Sequence, residues 1–448
     1  MWNIYFLLSS VLIFFIFKND WRKLAILFLL LIPFYGLIIN TIRPLTNLAP
    51  LLYDFSLLIP LYLLFFIKNK QKEIVLPHEL RGIIFLFIII IFLQTINPFN
   101  PLPLIARIIG LKVWLFYLPF IWIGYHCFKN SSDILKFCKI FSLITIIPCL
   151  FGILQYTLSI FFGHEVVMNF FYSADVAAAV TQNYARFNLT PSFTLLRMPS
   201  TFTYPTQFGN YLLCALIPTV VSIYSSSNLN QKNIHRLILI LIFLASMASG
   251  LRGMYLYIPL FFLLFFIQRK NFIIFFMIIC LLISIYYVFS SNFRFLIEYI
   301  YELSYNYFHF FFEGFNLNNL RDFIGHGVGT STGAIRYVVD QDLIQAGGLN
   351  ESYYSKIFYE LGFVGLFIMI IFYIQSYKLF DNCSKNYEEG NLLIFVQSSK
   401  ALLLTIIIAA TKGYYFNLFP IDFFFYFILG VIIKLKSKNE YEKIHKNF

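Results

Sequence analysis

Apolar stretches of roughly 15 to 25 residues recur along the whole chain, and each long one can cross a hydrocarbon core of about 30 Å. That recurrence constrains the fold more than any other feature. Inside a bilayer the backbone must satisfy its own hydrogen bonds, which helices do within one segment. Of 448 residues 60% are hydrophobic and 12% charged, against about 25% charged in ordinary soluble domains. The expected fold class is all-α: a polytopic integral membrane protein forming one membrane domain over residues 1–448, with no appended soluble domain.

Thirteen segments qualify as spans, within a range of 12–14: 2–17, 24–40, 50–67, 82–97, 111–128, 137–162, 208–225, 236–249, 253–267, 271–290, 362–377, 398–411 and 419–433. The eighth and ninth nearly touch at residues 250–253 and read as a tight hairpin whose turn carries Arg252. The alternative is one kinked helix with Arg252 in mid-membrane, which costs a few kcal/mol unless the charge is paired. The first apolar segment lacks a basic leader and a small-residue cleavage site, so it reads as a retained span.

Segments 18–23, 68–81, 129–139, 232–236, 269–270, 378–400 and 434–446 hold 22 of the 33 basic residues and alternate correctly with the spans. By the positive-inside rule they face the cytoplasm. The other 11 are Arg43, Arg107, Lys112, Arg186, Arg197, Arg252, Arg294, Arg321, Arg336, Lys356 and Lys412, and they fall on or near the outer face. An outward set of arginines runs against the topological trend and calls for a functional reason.

Several functions lack sequence support. The net charge of +12 is mostly the rim that orients the helices, so it does not argue for nucleic acid. Six cysteines lie in spans or on the inner side without metal-ligand spacing, and neither a disulfide nor a zinc site is expected. The histidines are scattered, and P-loop, HExxH, CxxC and GxSxG patterns are missing. No metal and no cofactor are expected.

Two long outward loops, 163–207 and 291–361, exceed ordinary connection lengths. The stretch from Arg321 to Gly365 places charged and glycine-rich sequence in an intensely apolar chain, and in a membrane protein such a segment lies outside the hydrocarbon or lines a wet cavity. Three arginine-centred signals belong to the outer face. RMPSTFTYPTQFGN, from Arg197, leads into a span with Pro205 able to start the helix and leave N–H groups toward an anion; a loop anchored at the headgroups is the plainer reading of Arg197. SGLRG, residues 249–253, holds Arg252 between glycines that allow close approach of a phosphate. GHGVGT, residues 325–330, with Arg336 and Arg321 around it, suits a backbone turn that cradles an anion. NESYYSKIFYELGFVG, residues 350–365, then starts the eleventh span; Glu351 either serves chemistry or complements the helix dipole, and Glu360 reads as structural.

Taken in order, RMPSTF before a span, SGLRG between two spans, GHGVGT in a large late loop and NESYYSKIFYELGFVGL entering the next span resemble the O-antigen ligase and O-antigen polymerase superfamily of bacterial surface-polysaccharide enzymes. NPFNP, from Asn97, and GLK, residues 110–112, add to the likeness, which covers roughly residues 95–378. The resemblance implies metal-independent glycosyl transfer on the periplasmic face of the inner membrane, with a glycan carried on undecaprenyl diphosphate. Its partners are that lipid-linked glycan, membrane lipids, a flippase and a chain-length regulator.

The outward arginines of the family bind the departing diphosphate, a role that falls here on Arg197 and Arg252, with Arg336, Arg321, His326, Asn350 and Lys112 as further substrate-binding residues. Such contacts stabilise growing negative charge. The acceptor hydroxyl needs a base. Ligases of the superfamily carry a His-Asn pair ahead of the tyrosine of the late loop, whereas this chain has Asn350-Glu351, which makes Glu351 the candidate base and favours a polymerase. Tyr353 or Tyr354 would stack on sugar. The alternatives are a ligase that moves the glycan to lipid A core or protein, and a lipid-linked oligosaccharide flippase or other transporter. A transporter predicts charge within the spans, where Asp54 is the clear acidic residue and Asp422 lies near the start of the last span.

Overall fold

The computed structural model describes residues 2–42, 49–68, 76–172, 186–190, 193–269, 323–332, 352–387 and 390–446. The first helices are α1 (Trp2–Phe17), α2 (Trp21–Leu31), a 3-10 turn (Ile32–Phe34), α3 (Tyr35–Ile42), α4 (Ala49–Lys68), α5 (His78–Thr95), α6 (Leu104–Leu115) and α7 (Phe120–Cys127). Next come α8 (Ser131–Ile144), α9 (Ile146–Phe162), α10 (His164–Phe171), strands β1 (Arg186–Thr190) and β2 (Phe193–Leu196), α11 (Pro205–Ser225), α12 (Leu229–Ala248) and α13 (Arg252–Gln268). The chain closes with α14 (Tyr353–Asn386), α15 (Asn391–Ala409) and α16 (Ile421–Lys446).

Every expected span overlaps a helix except 271–290, which lies outside the described residues. Among the described residues seven stretches are long and apolar enough to cross a membrane: Trp21–Asn40, Leu104–Cys127, Ser131–Phe162, Pro205–Ser225, Leu229–Ala248, Tyr353–Asn386 and Asn391–Ala409. Leu8–Phe17, Leu80–Thr95 and Gly253–Gln268 are shorter apolar helices. The architecture is that of a multi-pass helical membrane protein.

The all-α expectation holds, with one short β-ribbon beside the helices. Strands β1 and β2 pair antiparallel, with Arg186 opposite Leu196 and Thr190 opposite Phe193, inside the 163–207 loop. Their sequences, RFNLT and FTLL, carry the aromatic and β-branched residues that favour strands.

The core forms around α11, which is buried on every face from Phe208 to Ser222, as a helix apolar all round must be. Helices α7 and α16 cross with their backbones in contact: a methyl added at Gly430 would lie 1.9 Å from the Ile121 carbonyl oxygen. Small residues permit such close crossings. The hairpin expected at 250–253 is present. Helix α12 stops at Ala248, Gly250 adopts φ 62°, and α13 opens at Arg252, so this arginine sits at a helix start. Helix α14 begins at Tyr353, ahead of the expected 362, and Gly362 (φ 72°, ψ −174°) breaks its path. A two-turn stub, residues 353–361, therefore precedes the long span.

Candidate active site

Motifs far apart in sequence meet where α5 ends, α6 begins and the α14 stub lies. Between α5 and α6, the Asn97 and Asn100 side chains each accept from the backbone two residues on, at 2.9 and 3.0 Å, which folds NPFNP into successive turns. Arg107 locks them: its guanidinium donates to the carbonyls of Leu102 at 2.8 Å, Asn100 at 2.7 Å and Asn97 at 3.2 Å.

The same turns hold the glycine-rich segment of the late loop. Gln94 Nε2 donates to the Ile324 carbonyl at 2.7 Å, Asn97 Nδ2 to that of Gly325 at 3.1 Å and Asn100 Nδ2 to that of Val328 at 3.0 Å. Val328 N–H returns to the Gln94 carbonyl at 3.2 Å. Gly110 of GLK packs against Gly329, with room for no methyl between them: a Cβ would lie 2.6 Å from the Gly329 backbone.

Glu360 closes this clasp from the α14 side. Its carboxylate is fully buried and accepts from Trp114 Nε1 at 2.7 Å, Ser331 N–H at 2.8 Å and Thr332 Oγ1 at 3.0 Å. Its backbone carbonyl accepts from Gly327 N–H at 3.1 Å. Three donors balance the burial of one carboxylate. The Gly362 break belongs to the same junction, because a methyl at Gly362 would lie 2.3 Å from the Ile324 carbonyl oxygen. The sequence reading of Glu360 as structural holds, and its place at the centre of the late-loop contact is what sequence alone did not reveal.

A second junction joins the first two arginine motifs. Met198 N–H donates to the Ala248 carbonyl at 3.2 Å, and Gly250 lies so close to the 196–197 backbone that a Cβ would be 2.6 Å from the Leu196 carbonyl oxygen and 2.7 Å from Arg197 Cγ. The end of β2 and the SGLRG turn thus lie side by side. Behind Arg197, Ser200 adopts φ 55°, a left-handed conformation that costs a residue bearing a Cβ about 1–2 kcal/mol. Neighbours hold it there. Ser200 N–H donates to Gln155 Oε1 at 2.9 Å, Ser200 Oγ to the Pro148 carbonyl at 2.6 Å, and Tyr172 Oη to the Ser200 carbonyl. Burial pushes the Tyr172 phenol above its ordinary range, which keeps it a donor.

The sequence-derived site residues distribute unevenly. Arg197 is half-buried, and the Arg252 backbone opens α13 two residues after Gly250, the glycine that packs on Arg197. Glu351, Asn350, Arg336 and Arg321 lie outside the described residues. Lys112 forms an ion pair with Asp54, whose carboxylate also accepts from Tyr117 Oη at 3.0 Å; this joins α6 to α4 and ties Lys112 to a protein carboxylate. His326 donates its backbone N–H to the Tyr359 carbonyl at 2.7 Å and stacks its ring on Tyr359 at 4.1 Å. Tyr353 is 1% exposed, packed near Trp114 and Phe416 at 6.0 and 5.6 Å, and presents no open face to a sugar. Tyr354, half-buried, donates to the Ile407 carbonyl at 2.9 Å. Among the described residues no three His, Cys, Asp or Glu side chains gather as metal ligands would.

Neither a protein-family model nor a curated protein matches the sequence, so the functional reading stands on these residues.

Proposed function

We propose that the chain polymerises polyprenyl-diphosphate-linked oligosaccharide repeat units into a surface polysaccharide, by metal-independent glycosyl transfer on the periplasmic face of the bacterial inner membrane. About 13 spans, with the loops 163–207 and 291–361 outward, belong to this reading. The observation that carries it is the contact of the Arg197 strand end with the SGLRG turn, through the 3.2 Å Met198–Ala248 hydrogen bond. Two arginine-bearing backbones side by side suit an anion with several oxygens, as a diphosphate has.

In the reaction, an acceptor sugar hydroxyl oxygen bonds to the anomeric carbon of the donor while the bond from that carbon to the diphosphate oxygen breaks. The diphosphate leaves with the electron pair, stabilised by Arg197 and Arg252, with Arg336 and Arg321 of the late loop as further contacts in this reading. The hydroxyl proton passes to the Glu351 carboxylate. With Tyr353 buried, Tyr354 is the ring that remains for stacking on sugar. The clasp around Glu360 supports the reading by fixing the start of α14 two residues beyond Glu351.

The test is the reaction of purified protein with an undecaprenyl-diphosphate-linked repeat unit alone, without added metal. A ladder of product lengths that disappears in Arg252→Ala and Glu351→Gln is the expected result. Product only after addition of lipid A core identifies a ligase. If the native repeat unit gives nothing with either acceptor, the enzyme reading fails and a flippase or other transporter takes its place.

A further inference from the structure

Ser352, Ser355, Lys356 and Glu360 stand at i, i+3, i+4 and i+8 and so share one face at the start of α14. Glu360 accepts from three donors of its own. What remains on that face is a set of donors without a carboxylate partner at hydrogen-bond distance among the described residues. Lys356 is 3% exposed, and among the described residues no ion pair includes it. Its ammonium lies 5.4 Å from the Trp114 ring and 5.3 Å from the Tyr414 ring. The oxygen it reaches is that of the Asn417 amide at 3.3 Å, with the amide turned to suit its neighbours.

A buried ammonium with no direct ion pair among the described residues costs several kcal/mol, which the field of the nearby Glu360 carboxylate and cation–π contacts of about 0.5–2 kcal/mol offset in part. The serines add a second, independent sign. Ser352 occupies the N-cap position, where a serine oxygen ordinarily accepts from the first turn, yet it makes no capping bond. Its Oγ and those of Ser355 and Ser331 are buried without a hydrogen-bond partner among the described residues. Buried hydroxyls left open beside a buried ammonium, at the N-terminus of the two-turn stub, make an environment that wants an anion.

We propose that the start of α14 is a second anion subsite, separate from the Arg197 and Arg252 turns, in which Lys356 with the Ser352 and Ser355 hydroxyls takes phosphate or carboxylate oxygens of a ligand. Half-buried Tyr414 covers the ammonium, so entry displaces that ring. Only the identity of the ligand rests on the glycosyl-transfer reading: the anion is either the diphosphate of a lipid-linked glycan or the carboxylate of an acidic sugar.

Trp114 touches the subsite and serves as its reporter. Full-length protein in nanodiscs is titrated with inorganic pyrophosphate and, separately, with glucuronate, following tryptophan fluorescence. At least one anion should perturb the signal, and Lys356→Met or the Ser352→Ala/Ser355→Ala pair should weaken that anion at least tenfold, while Arg252→Ala keeps the response. Stronger binding of pyrophosphate assigns the diphosphate, and stronger binding of glucuronate the sugar acid. Lys356→Met should also melt no lower than the wild type without anion, since it removes a buried charge with no direct ion pair among the described residues. Unchanged anion binding in Lys356→Met, silence of the wild type to both anions, or a large drop in melting temperature in Lys356→Met would each overturn the subsite. The two readings fail separately: Lys356-dependent anion binding in a protein that forms no polymer keeps the subsite and removes the polymerase, and a polymer ladder with Lys356-independent binding does the reverse.

Discussion

Replacing Glu360 with glutamine keeps the shape of the side chain and changes one acceptor into a donor. In the native protein Oε1 receives Ser331 N–H and Thr332 Oγ1 while Oε2 receives Trp114 Nε1. The glutamine oxygen can keep the first two. Its NH2 group then faces the indole N–H, donor against donor. One charge-assisted bond is lost and a buried indole is left unpaired, which costs about 2–4 kcal/mol. Glu360→Ala removes all three acceptor contacts and opens a cavity, so it should fall further. Trp114→Phe removes the opposing donor, and the double variant Trp114→Phe/Glu360→Gln should recover roughly 1–2 kcal/mol of the glutamine penalty, which a double-mutant cycle isolates from the other contacts of the indole. Thermal unfolding in a single detergent measures the wild type and all four variants. A Glu360→Gln protein that melts with the wild type, or a double variant no better than the sum of its parts, refutes the assignment of Glu360 as the closure of the clasp.

Gly250→Ala places a Cβ in a left-handed turn, 2.6 Å from the Leu196 carbonyl oxygen. The conformational cost alone is about 1–2 kcal/mol, and the displaced strand end carries Arg197 with it, so polymer output in a membrane assay should fall more than the melting temperature would predict. Lys112→Met strands the buried Asp54 carboxylate and should lower stability by about 3–5 kcal/mol; the pair Lys112→Met/Asp54→Leu should recover most of it on the same thermal scale. If Lys112 instead serves mainly as a ligand for substrate, the single variant will melt normally and lose activity.

Helical spans and their punctuation were legible because the apolar period and the bilayer thickness dictate both. The 250–253 hairpin was legible too, since glycines flank an arginine that hydrocarbon would not accept. Partners separated along the chain were not. Asp54 was visible as an acidic residue in a span, but nothing local points to Lys112, 58 residues away. Glu360 reads in sequence like any carboxylate at a span edge, and only the packing of Trp114 and the 331–332 backbone against it shows that it faces inward. The short β1–β2 ribbon was missed because five and four residues beside longer apolar runs give a weak alternating signal. Lys356 was counted among the basic residues on or near the outer face; its position four residues from Glu360 on one helix face was the clue that its side chain packs inside the protein.

The clasp also sets a timetable for biogenesis. Gln94 and its acceptor carbonyl at Ile324 are 230 residues apart; at typical elongation rates of about 5–20 residues per second, the second arrives roughly 10–50 s after the first. Through that interval the amides of Gln94, Asn97 and Asn100 have none of their late-loop acceptors, so the α5–α6 corner must wait in water or against the insertion machinery before it can be sealed. The late loop thus completes a joint begun 230 residues earlier, and a truncated chain ending before residue 324 would carry that joint open.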